Sequence, residues 1–230
     1  MAAVDPRPLA LVTGASRGIG AAVARALAPT HDLLLGGRDT VALESLAAEL
    51  AGARAWPVEL TDDGSVAAAV AGLNLARLDV LVHSAGVGLL GRIEETAPDT
   101  WRHQFEVNVV AVAGLTRLLL PALRAARGDV VLVNSGSGLT ARAGWGSYAA
   151  SKFALRAFAD ALRAEEPDLR VTSVHPGRVD TDMQRAVVAH EGGEYDGSRF
   201  LRPESVAAAV VGAVTATADA HLPEIVIRPR

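Results

Sequence analysis

The stretch that most restricts what this chain can become begins at Leu9. Leu9-Ala10-Leu11-Val12 is a short apolar run, followed at once by Thr13-Gly14-Ala15-Ser16-Arg17-Gly18-Ile19-Gly20 and then an alanine-rich helical segment to Ala28. An apolar run without alternation reads as a strand covered on both faces. A strand that enters a helix through a glycine-rich turn opens a parallel α/β unit, since the crossover helix must lie over the sheet. Gly14, Gly18 and Gly20 let backbone approach a phosphate, and the helix start offers free N–H groups and partial positive charge. The spacing is G-x-x-x-G-x-G, so Gly14, Ser16, Arg17, Gly18, Ile19 and Gly20 form a candidate pyrophosphate cradle.

The same alternation continues to the end of the chain. His31 to Arg38 reads as a second strand, and Asp39 or Thr40 can cap a helix to about Leu50. A carboxylate at the end of this strand would hold a ribose 2′-OH, whereas an arginine accommodates a 2′-phosphate. Gly37 and Arg38 stand there, so NADP is expected over NAD, with Arg17 as a second phosphate ligand; the alternative is a solvated helix-start charge at Arg38. Arg54 to Val58 is a third strand, leading through Glu59 and Leu60 to a helix over 64–76. Leu78 to His83 is a fourth, and the small residues Ser84-Ala85-Gly86 after it leave room for a ribose; His83 is expected to satisfy loop backbone.

Between Asp99 and Arg127 apolar residues recur every three or four positions, which predicts one long helix. Asn108 falls on its apolar side and either bonds a neighbouring segment or holds water near a site. Asp129 to Asn134 is a fifth strand, and Ser135 at its carboxyl end either forms the turn or bonds a substrate oxygen. Leu169 to His175 is a sixth, with His175 expected as packing, followed by Pro176-Gly177-Arg178-Val179-Asp180-Thr181. Residues 182–200 have weak periodicity and are expected as a mobile substrate lid, 203–218 as helix and 225–227 as a last strand. The expectation is a single doubly wound α/β domain over residues 1–230 with a mainly parallel sheet of about seven strands.

One segment carries chemistry of its own. In Gly146-Ser147-Tyr148-Ala149-Ala150-Ser151-Lys152, a phenol and an ammonium sit four positions apart, one helical turn on one face. Lys152 is the only lysine in the chain; arginine supplies every other strong base. A lysine pKa moves readily with surroundings whereas a guanidinium stays charged. An ammonium beside a phenol is expected to draw its pKa down from about 10 and make it a proton donor and acceptor for a carbonyl/alcohol pair.

Composition narrows the remaining classes. Half the residues are hydrophobic but only 4% aromatic, so the core must be aliphatic. The net charge of -4 and the absence of basic runs give no footprint for nucleic acid or an anionic membrane. With no cysteine, disulfides and thiolate metal sites are excluded, and no metal site is expected. Met1 to Pro8 lacks a leader pattern, and the apolar stretch from Val109 to Leu120, broken by Thr116 and Arg117, is too short for a membrane span, so a cytoplasmic protein is expected.

Taken together, these motifs resemble the short-chain dehydrogenase/reductase family over essentially the whole chain. The cofactor loop, Ser84-Ala85-Gly86 for its N-A-G element, Asn108, Ser135, the Tyr148/Lys152 pair and Pro176-Gly177 with Thr181 follow in the family's order. The resemblance implies NADP(H) and a small carbonyl or alcohol substrate, with Asn108, Ser135, Tyr148 and Lys152 as the catalytic set. Ser135 is implied to hold the carbonyl oxygen, Tyr148 to protonate it, Lys152 to bind the nicotinamide ribose and lower the Tyr148 pKa, and Asn108 to place a water. Cofactor contacts are implied for the glycine loop, Arg38, Glu59, Leu60, Ser84, Ala85, Gly86, Tyr148, Lys152, Pro176, Gly177, Val179 and Thr181. A homo-oligomer built on the two long helices is also implied. His83-Ser84 departs from the usual Asn-Asn, and Glu59 stands where an Asp is common. The alternative reading is a protein on the same fold that binds NADP without turnover.

Overall fold

Seven strands hydrogen-bond side by side in the order β3-β2-β1-β4-β5-β6-β7, every neighbouring pair parallel. They are β1 (Leu9–Thr13), β2 (Asp32–Gly37), β3 (Ala53–Pro57), β4 (Val80–His83), β5 (Asp129–Val133), β6 (Arg170–Pro176) and β7 (Glu224–Ile227). This computed structural model describes residues 7–230, so most of the segment read above for a leader lies outside the described residues.

Helices fill every crossover: α1 (Gly18–Leu27), α2 (Thr40–Glu49), α3 (Asp63–Leu73), α4 (Pro98–Phe105), α5 (Ala111–Ala126), α6 (Gly146–Glu165), α7 (Asp182–His190) and α8 (Pro203–Val214). The strands are unbroken apolar runs because both faces are covered. In β2, Leu33 and Leu35 point into the aliphatic core under α1 and α8, while Leu34 points into the other, where α5 and α6 contribute Leu115, Leu119, Leu155 and Leu162. The order reverses at β1, which separates β2 from β4. In an open parallel sheet the crevice at the carboxyl ends of such a switch is where ligands lie.

Three sequence expectations are corrected. The helix expected from Asp99 to Arg127 is interrupted by a π-helical turn at Glu106–Val110. One extra residue in a turn barely disturbs a three-to-four spacing, so periodicity does not expose it. The whole stretch Pro98–Ala126 is 29 residues and apolar enough to cross a membrane by length and composition, contrary to the shorter estimate. Here it packs on the sheet, with Val112, Leu115, Leu119 and Leu123 in the core. Residues 182–200, expected as an irregular lid, contain α7 and a 3-10 turn at Gly197–Arg199. Thr181 caps α7, and Val187 and Val188 bury its inner face; nine residues are too few for a clear period.

Candidate active site

The glycine loop is held down on the loop after β4. Gly14 has φ +66°, and a Cβ there would lie 2.8 Å from Ala85 Cα; one on Gly20 would lie 2.2 Å from the Gly14 carbonyl oxygen. Beneath them Thr13 Oγ1 accepts from the N–H groups of Ser84 at 3.1 Å and Ala85 at 3.2 Å. Thr13 thus ties the two loops at the switch point, a role its place in the motif did not disclose. Asp39, Asp62 and Thr181 cap α2, α3 and α7 with their side chains. α1 has no side-chain cap and no acid in its first turn, so its N-terminal N–H groups are unclaimed by side chains among the described residues, a favourable seat for an anion. Ser16 is half-buried in this loop, and Arg17 is exposed and pairs with Asp182 at 3.3 Å.

Arg38 and Glu59 lie together at the ends of β2 and β3. Arg38 Nη1 is 3.4 Å from Glu59 Oε2, both largely exposed, and they line a cavity of about 380 Å³ with Val58. Thr61 donates to Glu59 Oε1 through its N–H and its hydroxyl. Partial burial raises the Glu59 carboxyl, but these bonds and then Arg38 outweigh it and hold the pKa below the usual range. Leu60 packs against the core rather than facing this cavity's lining.

His83 is fully buried, and its Nε2 is 2.9 Å from Thr116 Oγ1. Because that hydroxyl donates to the Val112 carbonyl at 2.8 Å, His83 supplies the proton between them and carries it on Nε2. Burial drives its pKa down to about 3. His83 therefore bonds a side chain on α5, where loop backbone was expected.

The π-helical turn presents Asn108 inward. Its Oδ1 accepts from Val87 N–H at 2.9 Å, and its Nδ2 donates to the Val87 carbonyl at 2.9 Å and to Ser151 Oγ at 3.0 Å. Of the two alternatives the sequence left open, the side chain takes the first: it clips the Ser84–Gly86 loop region to α6. Both Nδ2 hydrogens are used in this way, while Oδ1 keeps one lone pair.

Tyr148 and Lys152 face one cavity of about 530 Å³, together with Ser135, Ile19, Ser84, Gly86, Pro176, Gly177, Val179 and Thr181. Tyr148 is 8% exposed and Lys152 5%. The ammonium lies 5.9 Å from the Tyr148 ring centroid and donates to the Val133 carbonyl at 3.2 Å. Trp145 packs edge-on against Tyr148. The expected lowering of the phenol pKa by Lys152 is not what the geometry yields. Burial raises Tyr148, and a hydrogen bond with the Ser135 side chain only partly offsets it. Burial lowers Lys152 itself to about 8.

Ser135 is fixed from two sides. Its Oγ accepts from Ser137 N–H at 3.0 Å, and its carbonyl accepts from His175 Nδ1 at 3.0 Å. His175 is packed, as expected, yet its contact also holds the serine loop. Thr181 Oγ1 donates to Val179 O, and its methyl would sit 3.3 Å from a Cβ on Gly18, so the loop after β6 closes over the glycine loop. Met183 and Gln184, from the segment expected over the substrate, also line the cavity, as do Arg142 and Arg228, which sequence reading did not select.

A family model described as short chain dehydrogenase matches residues 8–192. Dehydrogenase/reductase SDR family member 7B of Bos taurus is 36% identical over 201 residues, 80% of this chain and 62% of that protein, so the chain spans about three fifths of its length. Alcohol dehydrogenase from the archaeon Thermococcus sibiricus, solved with 5-hydroxy-NADP, superposes with a TM-score of 0.87 at 28% identity, covering 95% of each chain. A singly substituted actinorhodin polyketide ketoreductase, solved with NADPH, gives a TM-score of 0.88 at 27% identity, covering 99% of this chain and 97% of that one. On the span of that match and these likenesses, the chain belongs to the short-chain dehydrogenase/reductase family.

Proposed function

We propose that the protein is an NADP(H)-dependent oxidoreductase that interconverts a small ketone or aldehyde and its alcohol. The observation that carries this is the convergence of the Ser135 and Tyr148 hydroxyls and the Lys152 ammonium on one cavity at the carboxyl ends of the strands. The uncapped α1 and the crowded Gly14 and Gly20 fit a pyrophosphate, and Arg38 with Arg17 fits a 2′-phosphate. Solved neighbours that carry NADP or NADPH support the same cofactor. When bound, such a cofactor would supply the hydride for reduction or accept it in the reverse reaction.

The chain's own residues do the rest. Ser135 donates a hydrogen bond to the substrate oxygen, in a loop fixed by His175. Tyr148, neutral at working pH because burial keeps its proton on, gives that proton to the oxygen as negative charge develops there. Lys152 holds a positive charge in a dry site, stabilising the phenolate left behind. Asn108 positions the loop at Val87 and, through Ser151, the helix that bears both groups. The exposed apolar side chains Val110, at the end of the π-helical turn that leads into α5, and Phe153 on α6 are consistent with a homo-oligomer through the two long helices, and a cytoplasmic location is part of the proposal.

Tyr148→Phe tests the reading. Followed by loss of reduced-nicotinamide absorbance with a panel of ketones and aldehydes, its turnover should fall by about 10²–10⁴-fold while NADPH still binds. Undiminished turnover would remove Tyr148 from the chemistry. Cofactor binding without any carbonyl reduction or alcohol oxidation in the unaltered protein would favour a non-catalytic NADP-binding protein.

A further inference from the structure

The cavity at Tyr148 carries a charge imbalance. Its lining includes Lys152, Arg142, Arg178 and Arg228 and no aspartate or glutamate. The chain as a whole leans the other way, with 26 acidic residues against 22 basic ones. Two of the four cations are accounted for: Lys152 bonds the Val133 carbonyl, and Arg178 pairs with Glu191. Arg228 and Arg142 have no carboxylate partner among the described residues.

Arg228 is also the one held in place. Its Nη1 donates to the His175 carbonyl at 2.8 Å and the Ile227 carbonyl at 3.0 Å, which leaves Nη2 and Nε without a partner among the described residues. A Cβ on Gly136 would lie 3.3–3.5 Å from Nη2, Cζ and Nη1 alike, so the flat face of the guanidinium rests on the residue after Ser135. The segment after β7 reaches this point because Gly177 gives it room. A Cβ on Gly177 would lie 2.9 Å from Pro229 Cδ, and its N–H donates to the Ile227 carbonyl at 2.8 Å. Two glycines at the ends of β5 and β6 thus seat an arginine beside the serine expected to meet the substrate oxygen. Arg142 lies three residues before Trp145, whose ring packs on Tyr148. The arginines expected for cofactor phosphates, Arg17 and Arg38, do not line this cavity.

We propose that the carbonyl substrate carries an anionic group, a carboxylate or a phosphate, bound by the free edge of the Arg228 guanidinium, with Arg142 adding a second positive charge. The chemistry is that of a planar fork of donors meeting paired oxygens. This rests on the reading above that the site reduces carbonyl compounds.

Matched pairs test it: acetoacetate against methyl acetoacetate, and dihydroxyacetone phosphate against dihydroxyacetone, each with NADPH. Charged hydrogen bonds of this kind discriminate by about tenfold or more, so at least one anion should exceed its neutral partner by that factor in kcat/KM. Which pair shows the preference separates carboxylate from phosphate. Arg228→Gln should bring the ratio towards one, Arg142→Gln should lower it less, and Arg228→Lys should keep part of it. Neutral partners turned over as well as the anions, or a ratio that survives Arg228→Gln, would overturn the proposal. Calorimetric titration of butyrate, butyramide and propyl phosphate into the protein alone reads the site without turnover. If no carbonyl is reduced yet an anion binds and Arg228→Gln abolishes that binding, the oxidoreductase reading fails and the anion site stands. If no anion binds in an Arg228-dependent way, the anion site fails whatever the turnover.

Discussion

Lys152 should destabilise the very fold that buries it, and replacing it with methionine should show by how much. Its pKa falls from 10.5 to about 8 because burial strips the ammonium of water and no carboxylate among the described residues compensates. At 1.36 kcal/mol per pH unit that difference amounts to about 3 kcal/mol against the folded state wherever the lysine is charged in both states, below pH 8. Between pH 8 and 10.5 the unfolded chain still holds a proton that the folded chain has released, so stability rises with pH through this window. Lys152→Met keeps a linear stem and removes the charge, but it also loses the hydrogen bond to the Val133 carbonyl, worth about 1 kcal/mol. The variant should therefore be more stable than the unaltered protein by about 2 kcal/mol at pH 7. Above pH 10.5 the advantage should vanish and reverse, because both proteins then bury a neutral side chain and only one keeps the bond. Urea unfolding of the two proteins at pH 7 and pH 10.5 measures the difference directly, since other titrating groups are common to both. A variant less stable at pH 7, or a gap of the same size at both pH values, would refute the reasoning.

His83 offers the same logic at acid pH. Its folded pKa of about 3 lies below the unfolded 6.5, so its contribution is intact above 6.5 and lost as pH falls towards 3. Between pH 7.5 and 5 the unaltered protein should lose ~2 kcal/mol more than His83→Gln, read by chemical unfolding at each pH. Asn108→Ala strands the Val87 N–H and carbonyl and one bond of Ser151, and should cost ~3 kcal/mol in unfolding free energy; a change under half a kcal/mol would mean the clip is dispensable. Arg38→Ala should weaken NADPH by about tenfold or more and NADH little, and equal losses in a binding titration would make Arg38 structural.

How far the sequence disclosed this molecule depends on how local each feature is. The strands were legible because both faces are covered: the Leu33-Leu34-Leu35 run must be apolar throughout, and only a two-sided core asks for that. Tyr148, Lys152 and Ser135 were legible because one turn of helix and one strand end place them without reference to the rest of the chain. The turn at Glu106–Val110 was not, since a π-helical step leaves the apolar period nearly unchanged while rotating Asn108 onto Val87. Thr13, His175 and Arg228 act through partners 71, 40 and 53 residues away, and no short pattern encodes such pairs. The direction of the Tyr148 shift was misread for a related reason. Adjacency in sequence suggested an ion–phenol attraction, whereas the packed core around both groups decides the balance through desolvation.

That desolvation reorders the two groups in a way that sets their resting charge states. In water a lysine ammonium releases its proton at about 10.4 and a tyrosine phenol at about 10, nearly together. Here burial moves the phenol up and the ammonium down to about 8, so the folded site separates them. A phenol that keeps its proton is ready to donate one, which is the half-reaction that carbonyl reduction requires. On the proposed mechanism the reverse reaction needs the phenolate, and the group proposed to stabilise it is an ammonium that begins to lose its charge near pH 8. Raising the pH far enough to ionise the phenol thus discharges the cation that would favour it. On the proposed function, oxidation would bring the positively charged nicotinamide of NADP+ beside the phenol and favour its phenolate, whereas the site without that charge holds the phenol protonated. The same burial that costs stability at Lys152 therefore keeps the resting phenol protonated, and the two effects share one cause.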